Sequence, residues 1–262
     1  MRRTTVLHDR SAIFAALREH RALHLYAIGD LDDFFFPFTS WYALEEDGSP
    51  LQVALVYSGG STPSVLAIAP ERTDEMRALL RSLLPLLPRR FYMHVTPGAA
   101  RALEEAYELL PHGLHHKMVL AHPARLAGIE TSRTEKLTTA SLAEVEAFYA
   151  AAYPGNWFDP RMLETACYFG ARESGALAAV AGVHVLSRTY GVAALGNIAT
   201  LPASRGRGFG AAVVTALCRS LLADGLTIGL NVDAANAGAI RLYERLGFEV
   251  CGSYEEHEVV AK

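Results

Sequence analysis

Cysteine is scarce in this 262-residue chain, which has three, at positions 167, 218 and 251. They are odd in number, far apart and form no C-x-x-C pair, which argues against a disulfide framework and against a structural zinc site. A reducing, cytoplasmic setting is the default expectation. Each cysteine lies among apolar neighbours and reads as a small core residue. Long hydrophobic runs are lacking too. The longest, around 176–186, is broken by Gly182 and His184 and falls well short of the about 20 residues that cross a bilayer. Met1-Arg2-Arg3 opens with charge, but His8, Asp9 and Arg10 stand where a signal peptide has its apolar stretch, so no membrane association is expected. Nor is there an excess of positive charge: Lys+Arg number 24 against Asp+Glu 28, a net charge of −4. That balance argues against a general nucleic-acid binder, though an anion site needs only a few local donors.

What is present is ordinary globular composition, 51% apolar and 20% charged, which excludes disordered and fibrous classes. Helices and strands alternate throughout. Residues 11–20 read as a helix with Ser11 as N-cap, followed by strands over 39–45, 51–57 and 65–69, a helix over 74–84 and a strand over 91–95. A short helix at 99–106 and a strand near 114–120 complete this set. After a poorly patterned stretch the order recurs: a helix over 141–152, strands over 166–173, 177–186 and 192–200, a helix over 209–223, a strand over 227–232, a helix over 237–245 and a strand around 248–254. Leu66-Ala67-Ile68-Ala69-Pro70 before a helix matches Ile198-Ala199-Thr200-Leu201-Pro202, and His94-Val95-Thr96 matches Asn231-Val232-Asp233. The chain therefore reads as a diverged internal repeat, with domains at 1–122 and 134–262 joined by a linker at 123–133.

The sharpest local feature is Arg205-Gly206-Arg207-Gly208-Phe209-Gly210, between a strand and an amphipathic helix. Glycines at alternate positions let the backbone approach a ligand and turn its N–H groups one way. The helix that begins there adds unsatisfied donors and the positive end of its dipole. With two flanking arginines, this is an anion site suited to a pyrophosphate. A P-loop would need Lys-Ser/Thr after the second glycine, and a dinucleotide-binding loop would need G-x-G-x-x-G directly after the strand; neither is present. The matching place in the first half is Glu71-Arg72-Thr73-Asp74-Glu75, without glycine and with three carboxylates, which would repel a pyrophosphate.

The run Gly196-Asn197-Ile198-Ala199-Thr200-Leu201-Pro202-Ala203-Ser204-Arg205-Gly206-Arg207-Gly208-Phe209-Gly210 resembles the acetyl-CoA motif of the GCN5-related N-acetyltransferases (GNAT), whose core Arg/Gln-x-x-Gly-x-Gly/Ala is met by Arg205, Gly208 and Gly210. The run from Asn231 to Phe248 resembles that family's second signature, in wording closest to the FR47-like branch. The resemblance implies an α/β fold of two tandem GNAT-like domains, each a central, mostly antiparallel mixed sheet flanked by helices, the first a degenerate copy. It implies an acyl-CoA-dependent N-acyltransferase that moves acetyl from acetyl-CoA, its co-substrate, to the amine of a small molecule or amino acid. A non-catalytic acyl-CoA sensor is the alternative. No metal is expected, and the assembly is a monomer or homodimer.

The resemblance also implies site residues. Pantetheine would run beside Ile198, Ala199 and Thr200, and the pyrophosphate would sit on Arg205, Gly206, Arg207, Gly208, Phe209, Gly210 and Ala211. Asn231 would add a further contact, and Asn236 would contact the coenzyme or simply cap the next helix. Tyr243 matches the family's general acid, with a helix tyrosine packed on the sheet as the plainer reading. The glutamate that histone-acetylating relatives carry on the motif strand falls on Ala194, so the base is either His184, whose ordinary pKa suits the task, or no side chain at all, the amine attacking already neutral. Trp157, Phe158 and Asp159 would border the acceptor channel, Asp159 holding a cationic amine, or would plug the core and start a helix. The acidic, aromatic segment 30–36 either reaches toward the acceptor or is a turn entering an apolar strand. His112, His115 and His116 have no carboxylate or cysteine near them in sequence and read as a solvated loop.

Overall fold

The structure, a computed structural model, describes residues 2–70 and 72–262; Glu71, the first of the acidic run noted above, lies outside them. The chain divides into two compact units. One holds the chain up to Met118 together with Val232–Ala237 and Val250–Lys262; the other holds Val119–Asn231 and Gly238–Glu249.

The first unit is built on strands β1 (Arg2–Leu7), β2 (Thr39–Glu46), β3 (Ser49–Tyr57), β4 (Ser64–Ala67) and β5 (Arg90–Val95), in that order across the sheet. Neighbours run antiparallel except β4 and β5, which are parallel. Asp47 and Gly48, at φ 53° and 84°, close the β2–β3 hairpin with the left-handed pair such a two-residue turn requires. Helix α1 (Arg10–Leu17) is capped by Asp9, whose side chain accepts from the Ser11 N–H at 2.8 Å, two positions earlier than the Ser11 cap expected from sequence. A short helix α2 (Leu25–Gly29) follows. The segment expected to enter a strand at Phe34 instead turns through a 3₁₀ stretch, Phe36–Phe38, before β2 begins. Helix α3 (Thr73–Leu83) buries Met76, Leu79, Leu80 and Leu83 against the sheet, a spacing of three and four that keeps one face apolar.

The next strand, β6 (Tyr107–Leu120), begins seven residues before the expected 114, because Pro111 and Gly113 read as breakers. It carries all three clustered histidines, which corrects the solvated loop. The final strand, β12 (Phe248–Ala261), runs beyond its expected end, and Val250–Lys262 groups with the first unit. The reason is pairing: Glu255–Val260 lie antiparallel on Val95–Arg90 of β5, and Val259 is fully buried in the first unit's core. Between these strands Glu256 accepts from Tyr92 Oη at 2.5 Å and Tyr254 Oη at 2.7 Å. His94 Nε2 and His115 Nε2 stand 3.3 and 3.6 Å from its carboxylate.

The second unit contains β7 (Thr134–Lys136), α4 (Leu142–Ala152), β8 (Phe169–Glu173), β9 (Ala176–Ser187), β10 (Val192–Thr200), α5 (Phe209–Ala223), β11 (Thr227–Asp233) and α6 (Ala237–Leu246). Across its sheet the order is β11-β10-β9-β8-β7, parallel between β10 and β11 and antiparallel elsewhere. Helix α5 buries Val213, Val214, Leu217, Cys218 and Leu221 completely. The segment expected as a linker is a 3₁₀ stretch, Pro123–Leu126, followed by a loop. Arg219 on α5 ties it down, donating to the carbonyls of Leu126, Ala127 and Ile129 at 2.8, 3.2 and 3.1 Å. Cys167 and Cys218 are buried as expected, whereas Cys251 is partly exposed. Among the described residues no helix is long and apolar enough to cross a membrane, and no group of histidine, cysteine and acidic side chains is placed to hold a metal ion.

Candidate functional site

The glycine-rich loop folds as its sequence requires. Gly206 and Gly208 sit at φ 75° and 87°, left-handed values that favour glycine. Gly208 is the N-cap of the 15-residue α5, which has no side-chain cap and no acidic residue in its first turn. The opening N–H groups of that helix are therefore available to an anion. Gly210 serves a different need: a Cβ there would come within 3.1 Å of Thr200 Oγ1, so glycine lets α5 approach β10. Arg205 is exposed, its Nε donating weakly to Thr200 O at 3.4 Å. Arg207 is also exposed but is ion-paired with Glu173 at the end of β8, which binds Ser204 Oγ at 2.8 Å as well. Glu173 thus anchors the loop and offsets part of the positive charge that the sequence promises. The Phe209 ring is buried, with the Arg207 and Arg133 guanidinium groups 5.6 and 5.9 Å from its centre.

Beside this loop, β10 departs from its neighbours. Its parallel pairing with β11 covers Val192↔Thr227 to Leu195↔Leu230 and stops, although β10 runs on through Ile198, Ala199 and Thr200. Asn231 is the first β11 residue past the last pair. On the other edge the pairing with β9 passes from Gly196↔Gly182 to Ala199↔Val180, so Asn197 and Ile198 oppose the single residue Ala181 in a bulge. Asn197 takes φ 52° there.

The first unit shows the same strands without the gap. Ala67, which the repeat aligns with Ala199, still pairs with Val95. The Thr96 N–H then donates to Ala67 O at 3.0 Å, and Thr96 Oγ1 accepts from the Ala69 N–H at 2.8 Å. That ladder is closed four positions beyond the point where β10 and β11 stop pairing, and Arg72 stands before α3 where the second unit has glycine.

The residues expected to do chemistry are distributed as follows. His184, on β9, has its ring against Gly196, where a Cβ would come within 2.2 Å of it. Burial pushes its pKa below the ordinary value, partly opposed by a hydrogen bond with Asn197, so the imidazole is neutral at pH 7. Tyr243, on α6, is buried beside Phe248, ring centres 5.8 Å apart. Burial first, then the neighbouring Cys218 and Tyr153, push its phenol well above the usual range, which keeps it protonated. Trp157 is 55% exposed. Phe158 packs between Tyr149 and Tyr168, at 5.1 and 5.8 Å. Asp159 caps the following turn by accepting from the Arg161 N–H at 2.9 Å and pairs with the Arg161 guanidinium at 2.8 Å, the bond that holds its carboxyl below the usual range. The helix-starting reading of Asp159 matches this geometry, and its charge is already engaged. Asn236 lies in the stretch that groups with the first unit, its N–H donating to Asp233 O at 2.9 Å.

Sequence reasoning missed Asn197 and Glu173. The left-handed φ of Asn197 has no sequence signature by itself, and Glu173 is distant in sequence from the loop it anchors.

Residues 134–248 match the model of the acetyltransferase (GNAT) family. Among solved structures the chain is similar to a Drosophila protein, with 16% identity over 98% of each chain and a TM-score of 0.69. It is also similar to a GCN5-related N-acetyltransferase from Sphaerobacter thermophilus, with 17% identity over 98% of this chain and 95% of that one and a TM-score of 0.59. A tandem GNAT protein from the clavulanic acid biosynthesis pathway matches over 100% and 98%, with 17% identity and a TM-score of 0.55. At these identities the likeness is one of fold, two GNAT-like domains in tandem. No curated protein matches the sequence. The match to the GNAT acetyltransferase model is confined to residues 134–248, within the second half of the chain.

Proposed function

We propose that this protein transfers the acetyl group of acetyl-CoA to the amine of a small molecule, and that the second unit alone binds the coenzyme. The observation that carries this reading is the contrast between the two ladders. β10 has no β11 pairing past Leu195, so the edge of Ile198–Thr200 can take pantetheine as an added strand. The first unit's equivalent is closed by Thr96. The left-handed Gly206 and Gly208 with the uncapped start of α5 fit a pyrophosphate.

The residues present then divide the chemistry. His184, neutral at pH 7, takes the proton that the amine loses as nitrogen attacks the thioester carbon. Backbone N–H groups of the bulged strand face the oxygen that gains charge. Tyr243 gives its phenolic proton to the sulfur as the C–S bond breaks and regains one from solvent. Trp157, exposed beside the partly buried Phe158, stands at the edge of the acceptor side.

Acetyl-CoA binding by calorimetry, followed by thiol release with glycine, lysine, ethanolamine and spermidine, tests the reading. Binding with CoA release for at least one amine is expected. Tight binding with no release from any primary amine would leave a sensor in place of an enzyme, and stabilisation by ATP or NAD but not by CoA would overturn the loop assignment.

A further inference from the structure

The bulge of β10 is held through one residue. Asn197 is 4% exposed and is bonded to three separate elements of the second unit. Its carbonyl accepts from Tyr149 Oη of α4 at 2.6 Å. Its Nδ2 donates to Tyr168 Oη, just before β8, at 3.0 Å and lies 3.4 Å from Met162 Sδ. Its side chain is also hydrogen-bonded to His184 of β9.

The rings at the ends of these bonds are themselves fixed by glycine. Tyr168 lies against Gly182, where a Cβ would come within 2.1 Å of the ring, and its hydroxyl reaches Val183 O at 3.4 Å. His184 lies against Gly196 in the same way, and Gly182 and Gly196 are cross-strand partners. The bulge, both rings and the amide therefore form one packed assembly in which no member can turn alone.

We propose that Asn197 is the positioning residue of the acyl-transfer site, fixing the bulged backbone of β10 and the His184 ring in a single geometry. This deepens the acetyl-transfer reading and rests on it. Asparagine is suited to the position for two reasons. It tolerates the left-handed conformation better than other non-glycine residues, and its amide can donate to a tyrosine while accepting from a histidine. No other side chain offers both at this size.

The test separates positioning from folding. Asn197→Gly keeps free access to the left-handed backbone and deletes the amide; Asn197→Asp keeps size and backbone but places a carboxylate beside His184. The His184 titration, followed by NMR on histidine-labelled protein, is expected to move down in the Gly variant and up in the Asp variant. In the Gly variant, kcat with acetyl-CoA and the best amine of the panel is expected to fall about 100-fold. Calorimetric affinity for acetyl-CoA should fall by no more than about tenfold, less than kcat, since the pyrophosphate loop is untouched and only the adjoining pantetheine edge is loosened. Tyr149→Phe removes only the bond to the carbonyl, so kcat should fall while the His184 titration stays at its wild-type position. A His184 titration that is the same in wild type and both Asn197 variants would overturn the proposal. So would equal losses of kcat and acetyl-CoA affinity, which would make Asn197 a folding residue only. If Asn197→Gly does not fold, the Asp and Tyr149→Phe variants decide. Failure of wild-type protein to bind acetyl-CoA would instead refute the underlying reading, and the titration would still decide the tether.

Discussion

Replacing Gly208 by alanine isolates the backbone of the anion loop. Gly208 sits at φ 87°, and a Cβ there meets nothing within 4 Å, so the cost is conformational and not a clash. A left-handed alanine costs about 1–2 kcal/mol, which for a chain of this size lowers Tm by roughly 2–8 °C. If the residue instead relaxes to a right-handed conformation, the N–H groups at the start of α5 turn away from the pyrophosphate. Each charge-assisted hydrogen bond lost is worth about 1.5–3 kcal/mol, so Kd for acetyl-CoA rises roughly ten- to hundredfold. Gly208→Glu adds a charge, with an upper bound of about 4 kcal/mol at 4 Å and an effective dielectric of 20. It should therefore be the weaker binder of the two, by a margin that narrows in high salt. Gly48→Ala is the control: Gly48 has the same sign of φ, 84°, and equally open surroundings, but closes a hairpin in the first unit. It should lose a similar few degrees of Tm and no affinity. The assays are thermal unfolding and calorimetry with acetyl-CoA. Affinity unchanged within threefold in both Gly208 variants would refute the assignment of this loop to the pyrophosphate.

Tyr243→Phe should lower kcat more than it raises KM for acetyl-CoA, because the hydroxyl is asked to protonate the leaving thiolate; equal steady-state kinetics would assign the ring to packing with Phe248 alone. Arg205→Ala should weaken acetyl-CoA binding by up to about tenfold and Arg207→Ala by less than about threefold, because Glu173 already offsets the Arg207 charge; calorimetry giving the opposite order would contradict this. Asp30 is buried, which pushes its carboxyl up to about 8. The folded protein therefore binds a proton that the unfolded chain releases above its ordinary value near 3.8, and stability falls as pH rises between these two values. Asp30→Asn should raise Tm at pH 8 and flatten that slope; a steeper slope in the variant would refute the burial argument.

The stretch from β10 to α5 was the most legible part of the sequence. β10 and α5 have the bounds read from sequence, 192–200 and 209–223, because Gly191, Pro202 and Gly225 punctuate them and α5 keeps its apolar period. The tandem architecture was legible from two matched strand-to-helix junctions. What could not be read depends on residues meeting across distance. The reading of Asp159 as an amine holder or a helix start turned on Arg161 being near enough to bind it. The grouping of the last strand with the first unit depends on β5 offering an open edge, and strands at residues 91–95 and 248–254 carry no mark of their partner. The closed ladder at Thr96 and the open one past Leu195 differ by hydrogen-bond register, while the residues themselves, Ala67 and Ala199, are identical.

The placement of the last strand sets an order of events during synthesis. β5 cannot acquire its β12 neighbour until residues 255–260 have been made, by which time every residue of the second unit between Val119 and Glu249 has already been synthesised. Contacts spanning about 160 positions are slow to close, and an unpaired strand edge is prone to wrong partners while it waits. The half of the chain that is translated first therefore cannot complete its sheet until one of the last strands has been made.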